Sequence, residues 1–466
     1  MSEAARAARA ALAGTPAWVV GGAVRDRLLG RPTVDLDLAV AGDCAAHARA
    51  LASACGGTAF RLSEQHAAWR VLAPGGAWHV DFMPLEAGIE EDLARRDFTI
   101  NAIAEPLAGG ARLDPHGGQA DLQAGRLRMV SAEGFAADPL RVLRAARLAC
   151  ELGLEIEPGT AAAARAHAPG LARVAPERVF AELRHIVCCP DPLRGLELTD
   201  GVGALPVVLP ELDGTRGVEQ SDYHHLDVYD HTLAVLGEVA ELERDPEPAA
   251  GPHAAAVASL LAEPLADELT RGAALRFGAL LHDIAKPHTR AYTREGRVTF
   301  IGHDELGSEL AGAALQRLRA SGRLRAHVAA LTRHHLRLGF LVHERPVSRR
   351  AVHGYLRACE PVEVDVTVLS VADRLATRGR QADQAIAAHL ELAHEVIGEA
   401  LRWRSQGPPA PLVHGEELAA TLGIRPGPEL GRLLADLEEA QFAGEVRTRD
   451  DAVALARRLL GRPGDG

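Results

Sequence analysis

Asp35-Leu36-Asp37-Leu38-Ala39-Val40 alternates polar and apolar side chains at its start and reads as a β-strand. A period of two sets Asp35 and Asp37 on the same strand face. Two carboxylates so close repel each other unless a cation lies between them. That is the arrangement needed to hold Mg²⁺ for nucleotidyl transfer, where metal lowers the attacking hydroxyl's pKa and neutralises a triphosphate. Taken alone, the pair reads more readily as a solvated strand face. Its neighbours change that. Upstream, the apolar run Ala17–Val20 feeds Gly21-Gly22 and then Ala23-Val24-Arg25-Asp26, a strand, a glycine pair and a helix start. Glycines there admit a phosphate close to the backbone, the helix N-terminus offers N–H groups, and Arg25 can reach the same anion.

Downstream, Trp78–Met83 is another strand candidate, followed by Arg95-Arg96-Asp97-Phe98-Thr99-Ile100-Asn101-Ala102. Two arginines beside an aspartate suit a ribose and triphosphate clamp, or a surface ion-pair cluster. Asp138-Pro139-Leu140-Arg141-Val142-Leu143-Arg144-Ala145-Ala146-Arg147 then opens a helix, with Asp138 fitting N-cap and Pro139 the first helical position. Steps of three residues place Asp138, Arg141 and Arg144 along one stripe and turn Arg147 well away. An aspartate and an arginine together supply acceptors and donors that match a base edge.

The composition bounds these readings. With 466 residues, 47% hydrophobic and 24% charged, the chain is long enough for several domains with cores of their own. A net charge of −12 excludes a uniformly basic nucleic-acid binder but not a local basic face. No apolar run approaches the roughly 18 residues of a membrane span, and the N-terminus shows no signal-peptide pattern. The six cysteines form no CxxC pair or framework and read as reduced thiols of a cytoplasmic protein. Lys286 is the only lysine. Arginine's fork suits phosphate, although GC-rich coding produces the same bias.

In this order and spacing, the four motifs resemble the class II tRNA nucleotidyltransferase/poly(A) polymerase family. The resemblance implies Mg²⁺ at Asp35 and Asp37. It implies nucleotide contacts from Gly21, Gly22, Arg25, Arg96, Asp97 and Asn101, base reading by Asp138 and Arg141, and assistance from Arg144 and Arg147. Asp81, in His79-Val80-Asp81-Phe82, matches the third carboxylate of the nucleotidyltransferase strands. Two departures stand out. The glutamate that often precedes the base-reading aspartate is Ala137 here, which leaves Arg141 to be oriented by another group. And Met83–Ala94 runs almost directly into Arg95, where enzymes that add C, C and A carry a flexible loop. Members with that deletion resemble CC-adding enzymes. The expected function is therefore addition of CC from CTP to the tRNA 3′ end. The alternatives are full CCA addition with CTP and ATP, A addition or poly(A) synthesis, or a hydrolase whose head merely binds RNA while a second site does the chemistry.

From about Glu133 the strand signals fade and helical spacing dominates. In this body His282-Asp283 follows the apolar run Phe277–Leu281, and His231, His303, His334-His335 and Asp373 lie around it in sequence. Imidazoles and carboxylates from several helices converge on divalent metals in bundle cores. This set resembles the HD phosphohydrolase superfamily. The resemblance implies His231, His282, Asp283 and Asp373 as core ligands, with His303 and His334 as the extra ligands of two-metal members. The metal could be Mn, Ni, Co, Fe or Mg. The expected fold is α+β: a nucleotidyltransferase head with a small mixed sheet at 1–130, then an all-α body. That body comprises a base-reading and RNA-binding neck at 131–215, an HD metal-binding domain at 216–385 and C-terminal helices contacting tRNA at 386–466. Arginines between Arg165 and Arg184 are candidates for a phosphate track. No membrane and no protein partner is read from the sequence.

Overall fold

In the computed structural model, which describes residues 2–33, 35–63, 67–220, 226–378 and 382–461, the run Ala17–Val20 forms strand β1. Gly21 follows with φ +70° and ψ −140°, a conformation that side chains with a Cβ rarely adopt, and the chain turns into helix α1, Gly22–Leu28. Strand β2, Asp35–Val40, has Leu36, Leu38, Ala39 and Val40 buried, while Asp35 stays exposed. After the helix Cys44–Cys55 come β3 (Thr58–Ser63), β4 (Ala68–Leu72) and β5 (His79–Pro84), then the short helix α2 (Ile89–Ala94) and β6 (Ala104–Pro106).

The six strands make one mixed sheet in the order β3-β4-β5-β2-β1-β6. β2 and β5 run parallel, and the other pairings are antiparallel. A parallel pair needs a crossover, here the helix and the β3–β4 hairpin between β2 and β5. The register sets Asp35 beside His79, Leu36 beside Val80, Asp37 beside Asp81 and Leu38 beside Phe82. One face of the pair is therefore charged. The other joins Leu36, Leu38, Val80 and Phe82 to Leu51 and Val71 in the core. Phe82 is fully buried, and truncating such a side chain to Ala costs about 3–5 kcal/mol. β3 was not among the strands expected from sequence. It is an edge strand with Phe60 and Leu62 exposed, so its apolar residues do not mark a buried face.

The chain divides into two units, Met1–Cys189 with Arg194–Val208, and Pro190–Leu193 with Leu209–Gly466. Beyond the sheet, the first unit contains helices α3 (Arg141–Leu152) and α4 (Pro176–Val187). In α3, positions 141, 144, 147 and 150 are partly exposed, while Val142, Leu143, Ala145, Ala146, Leu148 and Ala149 are buried.

The second unit is helical apart from short two-stranded pairings. Its helices include α5 (Val228–Arg244), α6 (Arg271–Leu281), α7 (His303–Arg317), α8 (Gly322–His334) and α9 (Glu363–Ala376). Every residue of α6 is buried, as befits a helix enclosed by α5, α8 and α9. Its two arginines are paired: Arg276 Nε with Glu243 at 2.7 Å, and Arg271 with Asp365. α6 ends at His282, which places His282-Asp283 at the inner end of the most enclosed helix.

Candidate functional site

The charged face of β2 and β5 carries Asp35, Asp37, His79 and Asp81. His79 Nδ1 lies 2.8 Å from Asp35 Oδ1. Arg70, on β4, grips Asp81 with both arms of its fork, Nε to Oδ1 and Nη2 to Oδ2, each at 2.7 Å. Burial, and after it the charge of Asp81, raises the Asp37 pKa above the ordinary aspartate value. A half-buried carboxylate crowded by like charge fits a divalent cation. Gly21 abuts this face: a Cβ there would stand 2.9 Å from Arg96 Nη1 and 3.3 Å from Asp37 Oδ2.

Beside the carboxylates opens a cleft of about 510 Å³. Gly21, Gly22, Arg25, Asp37, Arg96, Asp97, Asn101, Asp138, Arg141, Arg144 and Arg147 all line it, so the structure brings together the motifs that the sequence spread over some 130 positions. They are linked. Arg25 pairs with Asp26 at 2.8 Å and donates through Nη1 to Asn101 Oδ1 at 2.8 Å. Asn101 Nδ2 donates to Asp97 Oδ1 at 3.0 Å, and Arg144 Nη1 pairs with Asp97 Oδ2 at 3.1 Å. Burial alone would raise the Asp97 pKa. Arg144, the Asn101 amide and the Phe98 N–H together hold it below the usual value.

Arg147 does not turn away, contrary to the helical-wheel expectation. Arg144 Nε and Arg147 Nε converge on the two oxygens of Glu182 in α4, at 3.3 and 2.6 Å. A buried glutamate and long arginine stems override the angular offset along α3. Asp138 is extended, with φ −139° and ψ 93°, and its Oδ1 accepts from the Leu140 N–H at 3.3 Å. Its Oδ2 is held by Arg178 at 2.8 Å. Arg178 therefore serves the cleft, and Arg165 donates to the Gly201 carbonyl at 2.7 Å, so these two of the four track candidates are engaged within the unit. Arg141, left without the family's glutamate, donates instead to the Arg95 and Arg96 carbonyls at 2.7 and 3.0 Å. Arg70, Glu182 and Asp92, which accepts from Arg96 Nε at 2.9 Å, escaped the sequence reading because each acts through another site residue and belongs to none of its motifs, and Arg178 was read only as a phosphate-track candidate.

The second unit holds a separate cluster. Among the described residues, His231, His282 and Asp283 form one potential metal triad and Asp283, His303 and His335 another, with donor atoms within 4.8 Å of one another. His231 Nε2 also lies 3.0 Å from Asp373 Oδ1. The Nδ1 atoms of His282, His303 and His335 each face the carbonyl three residues back, at 2.7, 2.7 and 2.6 Å. With Nδ1–H donated there, each Nε2 lone pair turns towards Asp283. His282 Nε2 and Asp283 Oδ1 are buried without a hydrogen-bond partner, the condition a divalent cation relieves. Lys286 Nζ stands 2.6 Å from Asp283 Oδ2 and donates to Gln220 Oε1 at 2.6 Å. Burial would raise the Asp283 pKa, but His282 and Lys286 hold it well below the usual range.

His334 lies outside this cluster. It is half-buried, its Nδ1 accepts from Arg337 Nε at 2.9 Å, and His335 takes the inward place. The buried positions Leu324, Val328 and Leu331 step by four and three, and the next step of four reaches 335. That periodicity was the signal that separated the two histidines. A cavity of about 720 Å³ opens over Asp283, Lys286, His303, His335 and Asp373.

Comparison with known proteins follows the same division. The poly A polymerase head domain matches residues 17–80 and 58–128, the probable RNA- and SrmB-binding site of polymerase A matches 153–215, and the HD domain matches 228–378. An A-adding tRNA nucleotidyltransferase of Deinococcus radiodurans is 41% identical over 95% of each chain. A CC-adding tRNA nucleotidyltransferase of Thermus thermophilus is 37% identical over 94% of this chain and 92% of its own. A multifunctional CCA protein of Halorhodospira halophila is 37% identical over 70% and 75%. The fold is shared with the Thermotoga maritima CCA-adding enzyme complexed with tRNA, at TM-score 0.63 and 19% identity over 98% and 95% of the chains. With head, RNA-binding segment and HD domain in the same order, and relatives this similar along nearly the whole length, the chain belongs to the tRNA nucleotidyltransferase family.

Proposed function

We propose that this enzyme adds two cytidines from CTP to the 3′ end of tRNA and stops before the terminal adenosine. The observation that carries this reading is the connection from β5 to α2, only Leu85–Gly88. Changing one pocket from CTP to ATP requires the base-reading pair to reorient, and these few residues leave no mobile lever to drive it. Asp35 and Asp37 hold Mg²⁺, which would acidify the attacking 3′-hydroxyl and neutralise the triphosphate. Arg25 and Arg96 meet the phosphates at the glycine turn, and Asn101 and Asp97 fix Arg25 and Arg144 in place. Asp138 accepts from the base and Arg141 donates to it. Asp81, gripped by Arg70, acts on Asp37 through its charge rather than as a third ligand.

The test uses tRNA ending at the discriminator base, with labelled CTP and excess ATP. Two cytidines followed by a stall support the reading. A terminal adenosine overturns it in favour of full CCA addition. Addition of A alone to tRNA already ending in CC points to the activity named for the Deinococcus relative.

A second activity is favoured by the orphaned buried atoms of His282 and Asp283. There, His231, His282, Asp283, His303, His335 and Asp373 hold one or two divalent cations that would activate water against a phosphate ester. Lys286, beside Asp283, meets the phosphate charge. The test is hydrolysis of phosphomonoester and phosphodiester probes with Mn²⁺, Ni²⁺, Co²⁺ or Mg²⁺, and its absence with every metal rejects this activity. In the same reading, 1–130 is the catalytic head, 131–215 reads base and RNA, 216–385 is the HD domain, and 386–466 contacts tRNA. Six cysteines without a disulfide among them suit a reducing cytoplasm.

A further inference from the structure

Arg141 is held from two sides. Its Nη2 and Nη1 donate to the carbonyls of Arg95 and Arg96 at 2.7 and 3.0 Å. These carbonyls follow directly on α2, where no further turn accepts them and a guanidinium is a favoured partner. On its other side, a Cβ at Gly134 would stand 2.4 Å from Arg141 Nη1. The guanidinium thus occupies space that only a glycine leaves open.

The carbonyl platform is itself anchored. Arg96 Nε donates to Asp92 Oδ2 at 2.9 Å, one helical turn back on α2. The far arm of Arg96 sits over the Gly21 turn. Asp92 therefore fixes Arg96, the Arg96 carbonyl fixes Arg141, and Arg141 faces the cleft it shares with Asp138.

We propose that Asp92 and Gly134 are positioning residues for nucleotide selection, holding Arg141 in a single orientation. The proposal rests on the reading of Asp138 and Arg141 as the base-reading pair. Cytosine offers acceptors at O2 and N3 and an amino donor at N4. Adenine offers an acceptor at N1 and an amino donor at N6. An arginine–aspartate pair satisfies either base, at different distances from the ribose. The placement of Arg141 rather than its identity then decides which base fits. Two of its donors are spent on fixed carbonyls, so it presents the rest in one direction only.

The test is kcat/KM for single additions of CTP, ATP and UTP to tRNA ending at the discriminator base, in wild type, Asp92→Ala, Asp92→Asn and Gly134→Ala. Gly134 lies in a helix without positive φ, so Ala is accommodated by the backbone and disturbs only Arg141. Discrimination for the preferred nucleotide should fall about tenfold or more in Asp92→Ala and Gly134→Ala. Asp92→Asn keeps an acceptor oxygen and should stay within about threefold of wild type. A purely structural role would lower all nucleotides together. An unchanged ratio in Gly134→Ala overturns the proposal whatever Asp92→Ala shows, and it decides the matter if Asp92→Ala fails to fold. The wild-type product separately decides between CC, CCA and A addition. A wild type that prefers ATP would overturn that function and leave the ratio test intact.

Discussion

Asp37 on β2 stands directly across from Asp81 on β5, in register across the parallel pairing of the two strands. Like charges at such positions destabilise a sheet, and Arg70 relieves only the Asp81 side. Burial, and after it the Asp81 charge, keeps the Asp37 pKa raised. Asp37→Asn should therefore make the metal-free protein more stable, by on the order of 1 kcal/mol, while nucleotide addition falls roughly a thousandfold or more. Thermal unfolding without Mg²⁺ and labelled CTP incorporation measure the two effects. Asp35→Ala should lose activity to a similar extent, and HD-site hydrolysis should persist in both variants. Near-normal addition by both would remove Asp35 and Asp37 as metal ligands.

Arg141→Ala should blur CTP against ATP and UTP, because a donor matched to one base edge is lost. Single-nucleotide addition rates check this. An equal fall for every nucleotide would show that Arg141 does not read the base.

His335 and His334 are adjacent in sequence and differ in place. His335→Ala should lower the metal content of the purified protein and the hydrolysis of phosphoester probes by at least about tenfold. His334→Ala should change neither by more than about twofold, as its partner is Arg337. His282→Ala with Asp283→Ala should abolish hydrolysis and leave CTP incorporation intact. Metal analysis with both assays decides the assignment, and the reverse pattern would restore His334 as the ligand.

Burial holds His335 and His389 at pKa values of about 4 in the folded protein. The unfolded chain protonates these residues near pH 6.5. Between those values the unfolded state binds more protons, so their contribution to stability is lost as pH falls from about 6.5 towards 4. His282, whose pKa is raised by Asp283 against the effect of burial, works in the opposite direction. Burial also holds His334 at about 4 and lowers His327, so the depressed histidines outnumber His282, and the metal-free protein should unfold several degrees lower at pH 5 than at pH 7. His389→Gln, which removes one of them, should flatten that slope. A melting temperature independent of pH over this range would contradict the burial argument.

A flexible loop from a full CCA-adding relative, grafted between Leu85 and Glu90, should confer some addition of A on tRNA ending in CC. Its insertion point lies at the start of α2, whose trailing carbonyls orient Arg141. No A addition by a folded graft that still adds C would show that the missing loop is not what restricts the product.

The local residues alone determined much of this protein. Strand period two put Asp35 and Asp37 on one face, a glycine pair marked the turn beside them, and four motifs marked the family. An apolar run before His282-Asp283 marked the end of a buried helix. These signals are short-range, so one sequence carries them. What only the tertiary structure decided are the partners. Arg70 reaches Asp81 across antiparallel strands, and Glu182 gathers Arg144 and Arg147 from another helix. Arg178 holds Asp138, and the backbone after α2 holds Arg141. Each of these contacts spans from 11 to 46 residues and depends on rotamers and crossing angles that no periodicity encodes. The choice between His334 and His335 is a phase difference of one residue, about 100° of helix: the apolar spacing of Leu324, Val328 and Leu331 carries the signal, and packing against α6 and α7 turns that face inward.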